Sequence, residues 1–448
     1  MKTAVLAFWM LVMTTSIGFD SLSTMSSTRQ QFWKPQISLI SLVSMLTLGL
    51  LLPFALLAYS EIFKQVMPMN DVLLYGWWLQ GMQQSEPIFG IGQPFVYPYL
   101  SLVPMWLAAF LGGPAGILVG WCTLISILNV IVILAITNWG RGTKESFMAL
   151  WFWLIFVTLL GPVAIARIDA IAVALALLGL AAYARKKLLL STALFTAGAW
   201  IKIWPFVLVL SSFLAEKSKR VVAISASAVV GAIVLIPLAL GAGPNLFSFV
   251  TTQVGRGIQI EAPIALPWLW LAKLGIGDSA IYYDEAIITN QISGAGSTFI
   301  ANLMTPIMFF ALAITAVLGV RAYTAGAERN AIFASVALTG VLDLIVFNKV
   351  GSPQFMSWLA VPVCAWIIFK LPKSKLLIIA SSALALLTGL IYPVFYIDFI
   401  NLGDLGLVLV TARNLLLIAL LVWANIQLGN LAKKSIKNSA ARESSEQV

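Results

Sequence analysis

Apolar runs separated by short polar stretches set the pattern of the whole chain, near residues 37–59, 114–137, 147–164, 169–184, 188–203, 204–215, 221–241, 298–320, 331–347, 354–370, 376–394 and 405–427. A helix needs about 20 apolar residues to cross a hydrocarbon core. It is also the open-ended structure that satisfies its own backbone hydrogen bonds in lipid. The pattern therefore predicts an all-α, polytopic transmembrane protein with about 12 spans, some of them short, plus juxtamembrane or re-entrant helices.

The choice of twelve comes from keeping Lys and Arg on one side of the membrane. The run 98–111, after Tyr97-Pro98, is read as re-entrant or juxtamembrane, because letting it span would put Arg141 and Arg185 to Lys187 on the wrong side. The run 188–214 is split at Trp200-Ile-Lys-Ile-Trp-Pro205, where a proline and a lysine within an apolar run predict a broken helix. With these choices 20 of the 27 basic residues face the cytoplasm, as do both termini. Two long segments, 60–97 and 242–297, then lie outside, and their Tyr75, Trp77, Trp78, Trp268 and Trp270 suit chains lying along a membrane interface.

One domain is expected over 36–430. Residues 1–35 are set apart: their apolar stretch 4–19 has the length of a signal-peptide core rather than a span, and Met25 offers a second start. Residues 431–448 form a polar tail expected to be cytoplasmic and disordered. No internal repeat is visible.

Composition agrees with the membrane reading and narrows the chemistry. The 448 residues are 60% hydrophobic and 10% charged, with a mean hydropathy of +0.97, too little polar surface for a water-soluble globule. The net charge of +10 falls in short clusters between spans, which makes the bilayer a partner and argues against nucleic acid. Cys122 and Cys364 lie in apolar runs, as packing residues do. Histidine is absent, which removes the commonest general base and metal ligand. Catalysis would have to rest on carboxylates and cations, and no clustered carboxylates point to a metal.

Charges at membrane depth are costly, so each needs a reason. Asp71, in Met69-Asn70-Asp71 with Tyr75 nearby, can act as a general base, cap a helix, or sit solvated in its loop. Arg167 and Asp169 are close enough to pair across a turn and order a helix start. Lys202, at the broken helix, can clamp a phosphate or snorkel to the interface. Asn348, Lys349, Ser352 and Gln354 lie between two spans, and Asp343 and Arg413 can neutralise each other. Convergence of Lys202, Lys349 and Arg413 would make a site for a lipid phosphate.

In order along the chain, Met69-Asn-Asp-Val-Leu-Leu-Tyr75, Phe95-Val-Tyr97-Pro98, Arg167-Ile-Asp169, Lys202-Ile-Trp-Pro205, Ser352-Pro-Gln354-Phe355 and Arg413-Asn414 resemble the GT-C superfamily of glycosyltransferases. The likeness covers about 37–427 and is greatest to family 87, the polyprenyl-phosphate-mannose-dependent α-mannosyltransferase type. The resemblance implies a plasma-membrane enzyme acting on the extracytoplasmic side without a cofactor. It would move a sugar, mannose by family and arabinofuranose as the open alternative, from a polyprenyl-phosphate donor to an envelope glycolipid or glycan. Asp71 would be the catalytic base of an inverting displacement. Asn70, Tyr75, Tyr97, Arg167, Asp169, Lys202, Asn348, Lys349, Ser352, Gln354 and Arg413 would bind substrate. Relatives that place a histidine in the site differ from this chain in that respect. A lipid or glycolipid transporter or flippase is the rival from another class, since broken helices and buried charges also line transport pathways. A scaffold subunit is a third reading, under which neutralising Asp71 would change nothing.

Overall fold

A computed structural model describes residues 27–84, 86–252 and 255–446. It divides into two units, Met1–Ser44 and Met45–Val448. In the first, residues 27–44 are helical, as the opening part of α1 (Ser27–Ser60), which starts before the expected boundary at 36. The stretch 4–19 and Met25 lie outside the described residues. All other elements, and the site, belong to the second unit.

That unit is overwhelmingly helical. Helices α2 (Asn70–Gln83) and α3 (Leu102–Gly112) occupy the long segment after α1. Then come α4 (Ile117–Ile136), α5 (Lys144–Leu160), α6 (Asp169–Ala184), α7 (Leu188–Ala199), α8 (Phe206–Ala215) and α9 (Lys219–Ala239). A second long segment holds a small sheet and α10 (Leu266–Lys273). The chain closes with α11 (Ser297–Thr324), α12 (Arg329–Val346), α13 (Ala360–Ile368), α14 (Ser374–Gly389) and α15 (Asp404–Glu446). Local chemistry sets several boundaries. Thr143 caps α5 by accepting from Ser146 N, and the Glu328 carboxylate caps α12 by accepting from Asn330 and Ala331 N.

Among the described residues, eight helices are long and apolar enough to cross a membrane, so this is a multi-pass membrane protein. The other expected spans, at 169–184, 188–203, 204–215 and 354–370, correspond to the shorter apolar helices Asp169–Ala184, Leu188–Ala199, Phe206–Ala215 and Pro353–Ile368. The break between α7 and α8 falls at 200–205, where Pro205 begins a new helix instead of continuing the old one. Run 98–111 is also helical, within Tyr99–Ala115.

Helix α12 is the hub, with 89% of its residues buried, packed against α8, α11, α13 and α15. Over the apolar stretches of α9 and α11 that share is only 17%, and Ile224, Leu235, Phe309 and Phe310 point outward, as lipid-facing side chains do.

Two sets of loops gather at opposite ends of these helices. At one end Arg185 donates to Ala135 O, Arg329 Nη1 lies 3.2 Å from Glu216 Oε2, and Lys370 Nζ lies 3.1 Å from Glu145 Oε1. This end carries most of the basic clusters. The other end carries the two long segments and every candidate site residue.

Beside the helices, the segment 242–297 carries a small three-stranded antiparallel sheet that the expected all-α architecture did not include, in the order β1 (Ile258–Gln259), β3 (Thr289–Ser293), β2 (Ala280–Asp284). Ile258 faces Ile292 across the sheet, and both pack on Trp268, Leu269, Phe399 and Leu407. Apolar side chains directly opposite each other on one face of an antiparallel pair stabilise such pairing. At the C-terminal end α15 runs on through Glu446, within the segment 431–448 expected to be a polar tail.

Candidate active site

Asp71 lies in the first turn of α2, where free backbone N–H groups and the helix dipole favour a carboxylate. Its Oδ2 accepts from Arg167 Nε at 2.7 Å. The same guanidinium donates through Nη1 to Pro68 O at 2.8 Å and Ala166 O at 3.0 Å. Arg167 thus staples the entrance of α2 to the turn before α6. Tyr75, one turn along α2 and fully buried, accepts from Ile168 N at 3.1 Å and fastens the same two segments again. Burial pushes the Asp71 carboxyl above the usual carboxylate range, against the pull of Arg167 and then Lys202. Asn70 is exposed beside it.

Arg167 and Asp169 do not pair with each other, because at the start of α6 they point to different partners. Asp169 is enclosed, accepts from Trp358 Nε1 at 2.7 Å through Oδ1, and has Lys202 Nζ 3.7 Å from Oδ2. Lys202 also stands 4.9 Å from the centre of the Tyr97 ring and 5.9 Å from that of Phe355, within cation–π reach. It reaches this position because α7 stops at Ala199 and α8 restarts at Phe206. Tyr97 meets Tyr75 edge to face at 6.2 Å. Asp71, Tyr75, Tyr97, Arg167, Asp169 and Lys202 therefore form one constellation.

A second constellation forms around Glu261. Gly351 packs so tightly on the Glu261–Ala262 backbone that a Cβ there would overlap Ala262 N. Nearby, Gln259 N donates to Lys349 O at 3.0 Å and Ser352 Oγ donates to Gln259 Oε1 at 3.2 Å. Arg413 donates to Glu261 O and, through Nε, to Asn414 Oδ1 at 3.0 Å, and it is 1% exposed. Asp343 does not neutralise it: the Asp343 carboxylate accepts from Thr315 Oγ1 at 2.6 Å instead. Glu261 is enclosed, with Oε2 unpartnered among the described residues, and burial, outweighing Arg413, pushes its carboxyl up to about 7. Burial and then the neighbouring Arg256 push Lys349 below the usual lysine value. Asn348 accepts from Val350 N at 2.9 Å, a turn-forming duty. Gln354 is half-buried at the start of the turn that delivers Phe355 and Trp358.

Tyr392 and Tyr396 stand between the two groups. Tyr392 lies against Arg167, Tyr396 lies against Glu261, and their rings meet at 4.9 Å. Lys202, Lys349 and Arg413 thus lie at one end of the bundle, but in different roles. Lys202 is half-buried with a carboxylate partner, Lys349 neighbours Arg256, and Arg413 is locked beneath the 259–262 loop. Sequence reasoning missed Glu261, Arg256, Gln259, Trp358, Tyr392 and Tyr396. For Glu261 a signal existed: it is the sole charged residue in the stretch 258–270, where Gln259 is the one other polar side chain.

No family model, curated protein or solved structure matches the chain.

Proposed function

We propose that this protein is a membrane glycosyltransferase that uses a polyprenyl-phosphate sugar, with mannose as the favoured sugar, and acts on the extracytoplasmic face of the plasma membrane. The observation that carries the reading is the Asp71–Arg167 pair at the entrance of α2, with Lys202 set at a helix break beside it. Asp71 takes the proton of an acceptor hydroxyl, whose oxygen attacks the anomeric carbon as the bond from that carbon to the phosphate oxygen breaks. Configuration inverts, and polyprenyl phosphate leaves as a stable anion needing no general acid.

Raising the carboxyl of Asp71 strengthens it as a base, while Arg167 fixes its direction. Lys202, paired with Asp169 at only 3.7 Å, can turn toward phosphate oxygens and stabilise the departing charge. Lys349 and Arg256 add positive potential from the second constellation, and Arg413 holds the loop that carries Glu261. The gathering of basic clusters at the opposite end supports placing that end, and both termini, in the cytoplasm.

The test is transfer by the purified protein in liposomes supplied with radiolabelled polyprenyl-phosphate mannose or arabinofuranose and cell-envelope glycolipid. The expected result is a labelled glycolipid with stoichiometric polyprenyl phosphate. Movement of lipid across the bilayer with no covalent product would favour a flippase and overturn the proposal.

A further inference from the structure

Helix α2 carries more than Asp71. At helical spacing, Trp77, Gln80, Gly81 and Gln84 fall along one stripe. Above it opens a cleft of about 280 Å³, close to the lower end of small-ligand pockets, roughly 300–1,000 Å³. Glu86 and Phe89, from the turn after α2, close its far side. Gly81 makes the cleft possible, since a Cβ there would run into the Glu86 carboxylate. Trp77 is 70% exposed, a large apolar ring presented to the outside.

We propose that this cleft binds a hydroxyl-rich chain, the carbohydrate portion of the acceptor; the identification as acceptor rests on the glycosyltransferase reading. The lining decides the chemistry. Gln80 and Gln84 offer both donors and acceptors, and Glu86 offers acceptors, the set that sugar hydroxyls need. The Trp77 ring offers an apolar face to the C–H side of a sugar ring.

Other ligand classes fit worse. An anion would meet Glu86 with no cation in the lining to offset it. An acyl chain would strip water from two amides and a carboxylate without replacing their hydrogen bonds. A quaternary ammonium wants rings that enclose it. Trp77 and Trp78, adjacent on a helix, project about 100° apart and cannot enclose one.

The cleft is also linked to the site. Trp78 forms its inner wall and packs on Tyr75 at 5.8 Å and Tyr97 at 6.2 Å, the ring beneath Lys202. Along the axis, Trp77 is about 9 Å and Gln84 about 20 Å from Asp71, at 1.5 Å per residue. A short oligosaccharide lying on the stripe would deliver its end toward Asp71.

The experiment uses the full-length protein in nanodiscs and the probes mannotriose and arabinotriose, with saturation-transfer NMR to measure Kd. One of the two should bind saturably, Trp77→Ala and Gln84→Ala should each raise Kd about tenfold, equivalent to about 1.4 kcal/mol, and Trp77→Phe should recover most of the affinity. Asp71→Asn, which abolishes the proposed chemistry, should leave Kd unchanged, so cleft and reaction are judged separately. Trp77-dependent binding without transfer would sustain the carbohydrate site and remove only its acceptor role. The proposal falls if neither trisaccharide binds, or if the Kd of the Trp77→Ala protein equals that of the wild type. It falls equally if Trp77→Ala weakens only retention in the bilayer, the behaviour of an interfacial anchor.

Discussion

The pairing of Asp71 with Arg167 makes a quantitative prediction about stability that does not depend on any substrate. Arg167 holds three acceptors at once, Asp71 Oδ2, Pro68 O and Ala166 O, at 2.7, 2.8 and 3.0 Å. Its side chain is 12% exposed and that of Asp71 is 31% exposed. Removing one member of a buried pair costs about 3–5 kcal/mol, and the partial exposure of Asp71 lets water recover some of that. Arg167→Met is therefore expected to destabilise the protein by about 3 kcal/mol, and Asp71→Asn by about 1–2 kcal/mol because the amide oxygen still accepts. The double variant should cost about 2 kcal/mol less than the sum of the singles, the signature of a direct contact. Denaturant titration of the four proteins in bicelles measures this. Arg167→Lys, which keeps the charge but not the fork, should recover less than half of the loss. Additivity of the two substitutions within about 0.5 kcal/mol would refute the pairing.

Three further outcomes follow from the same geometry. Glu261 keeps a proton in the folded protein up to about pH 7, whereas its ordinary value is 4.5. Its contribution is full below pH 4.5, falls by about 3 kcal/mol as pH rises to 7, and is flat above. Glu261→Gln should flatten that decline in thermal melts, and an unaltered pH profile would count against it. Lys202→Met should raise the donor KM about tenfold and also lower the melting temperature, because it leaves the enclosed Asp169 carboxylate without its cation, while enclosed Arg413→Met should lower stability by about 3 kcal/mol and leave the donor KM unchanged. The reverse pattern would exchange their roles. Because Cys122 and Cys364 are buried, Gln65→Cys should react with a membrane-impermeant maleimide in intact cells and Ser218→Cys only after permeabilisation. Labelling in the opposite order would invert the orientation.

The membrane architecture was legible because the apolar runs are long and the basic clusters fall between them. The helix break at Lys202 was legible for a local reason, the proline at 205. What the chain did not announce was pairing. Arg167 and Asp169 are two residues apart and read as partners, yet each reaches a residue remote in sequence, Asp71 and Lys202. Asp343 and Arg413 read as a neutralising pair because both are buried charges, but one bonds a threonine and the other a backbone carbonyl. Tertiary packing made those choices, and no periodicity encodes it. The sheet was missed although its strands carry β-branched and aromatic residues, because they are only two to five residues long. Glu261 was overlooked because a single acid in a loop looks solvated until the glycine at 351 brings another backbone onto it.

The most direct test is turnover by Asp71→Asn in liposomes, with donor affinity measured on the same preparation. The account predicts that transfer of the labelled sugar falls at least a hundredfold, the lower bound of general-base contributions of roughly 10²–10⁴, while the donor still binds. Transfer at the wild-type rate by that variant would contradict it.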